Sequence, residues 1–507
     1  MERVKKAFSF FIILLLSISI VPGKGEAVSN SLSIGSVKVT QANVYSSPKL
    51  SSSVLTVLKK GEEYPIISSV VGDSASMITH TVVAGNTLWI IANQYGTTAS
   101  EIQKANKLST NTIKIGQKLK IPQKFIIHTV ISGDTLWKIS NKYGVTVNEL
   151  TKVNYLPTTQ LKIGQKLNIP IYYSQVQLLG GQKGYIKKSH TQAKTQSRIV
   201  MGWNSNGTTD TYIKQMNGQK SLNVVSPRWF TLSNSENVVT VPTDTKYVLD
   251  VHTSGKQIWP LLGNKFDPVL TDSILSNPQK RQKLVTTLSN TLIKSDSDGI
   301  NVDFENIDMK NKQDFVSFIS ELKTALKPHG ILVSVDVTRT SADPFWSGSL
   351  DRRELGKIAD YIIMMGYDEH WGNGPTAGSV ASLPWVQEGI QLLMNDVPSH
   401  KIILAVPFYT REWVTNLSTN KMKTIDRTMA EVNQIISTKG LQKVWDEKAS
   451  QNYVEYTANG ERHQIWVEDK KSMELRLNVV KQNHLGGASA WYIGAETPDI
   501  WDIYHFN

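Results

Sequence analysis

The segment Asp298-Gly-Ile-Asn-Val-Asp-Phe-Glu305 alternates apolar and polar residues without a break. In an extended chain Ile300, Val302 and Phe304 point to one side, and Asn301, Asp303 and Glu305 to the other. A strand within a parallel sheet is expected to be apolar on both faces. Burying carboxylates without purpose is costly. Two carboxylates and an amide in a row on such a strand therefore mark a candidate active site. Its natural chemistry is proton transfer by a positioned carboxyl group.

Elements able to carry that ladder follow along the C-terminal half. Strand patterns occur at 199–203, 222–229, 247–251, 299–304, 331–337, 361–367, 402–408 and 488–492. Helical periodicity separates several of them, as at 280–295, 312–326 and 385–395. Strands alternating with crossovers predict an α/β fold, a (β/α)8 TIM barrel over 198–507. The interval 409–487 predicts a small α+β insertion. Chemistry in such barrels sits at the C-terminal strand ends. Asn301, Asp303 and Glu305 fall there on strand four, Asp336 on strand five, and Tyr367 and Asp368 on strand six. Tyr409 and Arg411 follow strand seven, Trp491 ends strand eight and Trp229 ends strand two. Carboxylates, tyrosines and tryptophans on one rim suit a sugar ring, with hydroxyls for the polar groups and C–H faces for the rings. Each tryptophan taken alone reads equally well as core.

The rest of the composition narrows the class. The fractions of hydrophobic (40%) and charged (19%) residues are those of an ordinary soluble protein. With no cysteine there is no disulfide or thiolate chemistry. The ten histidines form no metal-ligand pattern, so neither a metal nor a cofactor is expected. Arg3, Lys5 and Lys6 precede an apolar run over 7–21, short for a membrane span, and Gly25-Glu26-Ala27 is a small-x-small cleavage candidate. Residues 1–27 read as an export signal, with an uncleaved anchor as the alternative. After cleavage no stable membrane insertion is expected. The net charge of +12 suits a polyanionic surface. No nucleic-acid motif appears, so a polyanionic wall polymer is the partner such a charge suits, while an excess spread along the chain also reads as a solvated face; a monomer is expected.

Residues 80–96 and 128–144 repeat one another at an offset of 48, and each copy closes with Ile-Gly-Gln-Lys-Leu-x-Ile-Pro. Caps at Asn86/Thr87 and Asp134/Thr135 predict strand, two helices and strand in each. Units this small must bury most of their apolar residues, so Trp89 and Trp137 read as core or as ligand-stacking surfaces. The repeats, 79–122 and 127–171, closely resemble LysM modules. That resemblance implies binding of N-acetylglucosamine-containing glycans in grooves near 85–87 with 108–113, and near 133–135 with 156–161. Residues 36–75 resemble the first part of a small all-β SH3-like wall-binding module. Its ending is at 172–190 if the LysM pair is inserted into one of its loops. The alternative is an incomplete barrel followed by an unrelated hairpin. The polar stretch 191–197 reads as a linker.

The barrel segment resembles glycoside hydrolase family 18. Asp298, Asp303 and Glu305 match its DxxDxDxE signature, Met365-Gly-Tyr-Asp368 its strand-six motif, and Trp491 its strand-eight tryptophan. One acidic signature position is Asn301 here. Ser226-Pro-Arg-Trp-Phe230, Trp259-Pro-Leu261, Pro407-Phe-Tyr-Thr-Arg-Glu-Trp413 and Ile465-Trp-Val-Glu-Asp469 resemble the spore- and wall-associated branch. Asp303 and Glu305 lie about 6.5–7 Å apart along one strand. They cannot flank a glycosidic bond from opposite faces as a two-carboxylate retaining pair does, and family 18 is a substrate-assisted exception to that scheme. The resemblance implies Glu305 as acid and then base, Asp303 on the acetamido N–H, and Tyr367 on the acetamido oxygen. Asp298, Asn301 and Asp368 would support them, and Trp491, Trp229, Tyr409 and Arg411 would bind substrate. An amide cannot share a proton as a carboxylate would, so Asp303 is expected to stay ionised more readily. The implied protein is a secreted, wall- or spore-associated N-acetylglucosaminidase cleaving β-1,4 bonds of peptidoglycan. The alternatives are a chitinase and a lectin-like member that binds glycan without cleaving it.

Overall fold

The computed structural model describes residues 30–49, 51–72, 77–95, 97–122, 125–204, 207–233, 237–240 and 244–506. The export signal expected over 1–27 lies outside the described residues.

Eight parallel strands close the catalytic barrel. They are Ile199–Asn204, Val224–Pro227, Gln257–Ile258 with Leu261–Gly263, Gly299–Asp303, Leu332–Thr338, Tyr361–Met365, Ile402–Pro407 and Gly487–Trp491. Strand eight pairs with strands seven and one, and strand one with strand two, which completes the ring. Strand three is interrupted at Trp259-Pro260, because proline has no N–H for the ladder. Its first half pairs with strand two and its second with strand four. Phe230–Ser233 prolongs strand two along the second half of strand three.

Met201, Trp203, Val224, Trp259, Leu261, Ile363, Ile403 and Ala405 fill the barrel interior. A larger apolar layer lies between the strands and the outer helices. Burying each such Leu, Ile or Val is worth about 1.5–3 kcal/mol. That layer also aims the polar ladder. On strand four Phe304 faces outward and stacks on Phe315 and Phe318 of helix Lys312–Leu326, at 5.6 and 5.7 Å. By the alternation of the strand, Asp303 and Glu305 then face the barrel mouth.

The sequence places strand three at 247–251, and the structure moves it. These residues belong to helix Thr245–Thr253. The Asp244 side chain accepts from the N–H groups of Lys246 and Tyr247 and caps the helix, while Tyr247, Val248 and Val251 form a buried helical stripe. Between strands seven and eight lies a five-stranded antiparallel sheet with one helix, Met429–Lys439. It matches the α+β excursion expected there.

The N-terminal region builds one seven-stranded sheet from both sides of the repeats. Glu63–Val71 pairs with Tyr172–Gln177, and Gln41–Tyr45 with Lys183–Lys187. Val71 and Tyr172 are direct partners, so both repeats sit between two adjacent strands. Thr191–Ser197, read above as a linker, is a strand pairing with all of Ser31–Val37. It lies at the sheet edge with most side chains in water, so it carries no apolar alternation to betray it. Each repeat has an antiparallel strand pair and two helices around a small apolar core. Trp89 and Trp137 are not part of those cores: they stand 68% and 67% exposed, while Leu88 and Leu136 beside them are buried.

Candidate active site

A cleft of about 860 Å³ opens at the C-terminal end of the barrel. Asp303, Glu305, Tyr367, Asp368 and Trp491 line it together, joined by Trp203, Arg228 and Asp336. Asn301 lies one rung below Asp303 on the same face and is fully buried.

Glu305 follows the end of strand four, where backbone pairing has stopped. Asn264, just past strand three, replaces it. Its Nδ2 donates to the Glu305 carbonyl at 2.8 Å and its Oδ1 accepts from the Glu305 N–H at 3.1 Å. Sequence reasoning missed Asn264 because it had placed strand three about ten residues too early. The Gly263-Asn264 step after an apolar run was the available signal.

Burial pushes the Asp303 carboxyl up to about 6, although the Arg228 guanidinium works against it. Asp303 Oδ1 is buried and makes no hydrogen bond among the described residues. Burial, and then the charges of Asp303 and Asp368, hold the Glu305 carboxyl well above the usual range. Burial likewise raises the Tyr367 phenol, with Asp303, Asp336 and Glu305 adding to it. A carboxyl group held above its usual range thus stands beside another that ionises near neutrality, an arrangement that suits an acid and a charge stabiliser.

The ladder's amide is held from two sides. The Trp203 indole N–H donates to Asn301 Oδ1 at 2.7 Å, and Asn301 Nδ2 donates to Asp336 Oδ1 at 2.7 Å and to Ser334 Oγ at 3.2 Å. The expectation that Asn301 frees Asp303 from a carboxylate neighbour is therefore corrected. Strand five brings Asp336 into the same layer, and its carboxyl is held well above the usual range by burial and by Asp303.

The remaining expected residues divide. Asp298 sits at the opposite end of strand four, where its Oδ2 accepts from the Ile258 N–H at 2.8 Å and lies 3.0 Å from His252 Nε2. It ties strands three and four together, away from the cleft. Trp229 is core: it is 5% exposed and its ring meets Tyr247 edge-on at 6.3 Å. The kink after Pro227 presents Arg228 to the cleft instead. Tyr409 and Arg411 line a smaller neighbouring cavity of about 270 Å³, bounded by Asp368 and Trp491. Tyr409 Oη donates to Asp368 Oδ1 at 2.7 Å, and Arg411 Nη1 donates to the same oxygen at 2.9 Å. Arg411 Nε donates to Asp426 at 2.8 Å. These two residues fix Asp368 in place.

A parallel barrel with this carboxylate ladder defines a class, and comparison with known proteins gives it a name. Residues 252–496 match the model of glycosyl hydrolases family 18, and residues 80–122 and 128–170 each match that of the LysM domain. The chain therefore contains a family 18 glycoside hydrolase domain and two LysM modules. It is 25% identical over 307 residues to an uncharacterized glycosylase, YvbX, of Bacillus subtilis, covering 58% of this chain and 87% of that one. It is also 25% identical over 272 residues to the cortical fragment-lytic enzyme of Bacillus cereus, covering 52% of this chain but only 63% of that enzyme's length. Among solved structures, the Bacillus cereus spore cortex-lytic enzyme SleL superposes with a TM-score of 0.57 at 22% identity, over 85% of this chain and 99% of that one. No described helix is long and apolar enough to cross a membrane.

Proposed function

We propose that this protein hydrolyses β-1,4 bonds following N-acetylglucosamine in peptidoglycan, by retaining, substrate-assisted catalysis. The observation that carries this reading is the buried Asp303 Oδ1 in the cleft, unpartnered among the described residues, two residues before a Glu305 whose carboxyl is held well above its usual range. An unpaired carboxylate oxygen of this kind is suited to an amide N–H, and a substrate acetamido group supplies one.

In this mechanism the acetamido carbonyl oxygen attacks the anomeric carbon while Glu305 protonates the departing glycosidic oxygen. Asp303 accepts the acetamido N–H and stabilises the resulting oxazolinium charge. Tyr367 donates its hydroxyl to the acetamido oxygen. Water then attacks the anomeric carbon, gives its proton to Glu305, and restores the acetamido group. Two displacements leave the configuration retained. Trp491 offers the sugar a ring face at the cleft floor.

The LysM modules and the named activities of the Bacillus relatives favour peptidoglycan of the wall or spore cortex over chitin. They also favour action outside the cell. The test incubates the purified protein and its Glu305→Gln variant with peptidoglycan, cortical fragments and chitin oligomers. New reducing N-acetylglucosamine ends are expected from peptidoglycan or its fragments, and from the unmutated protein alone. Turnover confined to chitin oligomers would replace the substrate assignment. Binding without turnover on any of the three would replace the enzyme by a lectin.

A further inference from the structure

Strand five carries a carboxyl group for which the family signature has no place. Asn301 pairs with Ser334 in the register of strands four and five, and Val302 with Val335. Continuing that register puts Asp336 beside Asp303, and both line the cleft. The orientation of the Asn301 amide is not ambiguous. An indole N–H is a donor only, so the atom facing Trp203 must be Oδ1, and Nδ2 must face Asp336. A carboxylate at 301 could not make that second bond. The amide at 301 and the acid at 336 are complementary.

We infer that Asp336 is the proton partner of Asp303, supplying from strand five the carboxyl group that this chain lacks at position 301. Resting on the substrate-assisted reading above, it assigns Asp336 as a positioning residue that acts through Asp303. Two neighbouring buried carboxyl groups cannot both ionise readily, and a pair of this kind holds one proton between them. The groups facing the layer do not relieve it. Strand four contributes Asn301 and Asp303 and leads into Glu305, strand six leads into Tyr367, and among the described residues the cation acting on Asp303 is Arg228, from beyond strand two. With the pair's proton on Asp336, Asp303 keeps its charge, accepts the acetamido N–H and stands opposite the oxazolinium.

The experiment compares the unmutated protein, Asp336→Asn, Asn301→Asp, and the exchange Asn301→Asp with Asp336→Asn. Asp336→Asn keeps an oxygen that can accept from Asn301, so packing is preserved while the shared proton is lost. Its kcat is expected to fall about tenfold, the equivalent of one pKa unit at Asp303, with KM within about twofold of the unmutated value. The acid limb of its pH–rate profile should move to higher pH, because an amide N–H stabilises the Asp303 anion less than a shared proton. The exchange variant, with its carboxyl group returned to strand four, should recover most of both losses. A merely structural Asp336 would leave the pH profile unmoved, and that result in Asp336→Asn overturns the inference. A second measurement needs neither turnover nor a change in the pair: 13C titration of aspartate carboxyls in Glu305→Gln. Two coupled steps are expected, and independent titration of Asp303 and Asp336 overturns the pairing even if no substrate is ever cleaved. If the pair titrates as coupled but no substrate is cleaved, the pairing stands and the hydrolytic reading fails.

Discussion

Replacing Asp303 by asparagine should stabilise the fold at neutral pH while abolishing activity. The Asp303 carboxyl is pushed from its ordinary 3.8 up to about 6. A group raised in the folded state favours folding fully at pH below its unfolded value, and that contribution is lost as pH rises through the folded value. The penalty is therefore absent near pH 3.5, grows between about 4 and 6, and is complete above pH 7. Two units correspond to roughly 3 kcal/mol. Asp303 is partly open to the cleft, which reduces this to about 2 kcal/mol. Asparagine has nearly the same shape, and Asp303 Oδ1 makes no hydrogen bond among the described residues. It also removes a charge that raises Glu305 and Asp336, which acts in the same direction. At about 2 °C per kcal/mol for a large domain, the barrel transition should rise by about 4 °C at pH 7.5 and by little at pH 4. Thermal unfolding of both proteins at the two pH values measures it. A less stable variant at pH 7.5, or an equal gain at both, would refute the assignment of the shift to burial of the charge.

Three further outcomes are expected. The rate of the unmutated enzyme should fall as pH drops through about 6, where Asp303 takes up a proton, and a kcat/KM profile flat down to pH 4.5 would contradict this. Asn264→Ala removes both hydrogen bonds to the Glu305 backbone. It should lower kcat about tenfold, at about 1–1.5 kcal/mol for losing them, with a smaller change in KM; unaltered steady-state kinetics would mean that the clamp does not position the acid. Replacing 73–170 by a short turn joins two strands already paired at Val71 and Tyr172. Turnover of soluble oligomers should be unchanged, while binding to sacculi weakens by about a hundredfold through lost avidity; retained binding in a pelleting assay would place the wall contact elsewhere.

The barrel was legible where strand composition and periodicity agreed, as in Gly299–Asp303 and the helix over Lys312–Leu326. Strand three was not. Interrupted by Pro260, it leaves two short pieces, Gln257–Ile258 and Leu261–Gly263, without a readable period. The capped helix at 245–253 offered a longer apolar pattern in their place. The edge strand 191–197 was hidden because solvent on its sides imposes no pattern. At the site, the ladder announced Asp303 and Glu305 through alternation alone. Trp229 misled because two residues of kink decide whether a side chain meets the cleft or the core. The role of Asp336 became visible only in three dimensions, since its partners Asn301 and Asp303 lie on the neighbouring strand.

The stretch once read as a linker has a mechanical consequence. Between the second LysM module and the first barrel strand, where every residue is described, the chain passes through no free tether. Strand Lys166–Pro170 runs through buried Ile171 into Tyr172–Gln177, and Thr191–Ser197 passes through Arg198 alone into the first barrel strand. Arg198 is itself clamped, donating to the carbonyls of Ser31, Leu485 and Phe506. A catalytic domain on a flexible leash searches a volume set by the leash length. Here the search volume collapses toward a fixed offset between grip and blade. If the second module holds the glycan as proposed, the strand meets the cleft at that offset, and cut spacing is then expected to follow the protein's own dimensions.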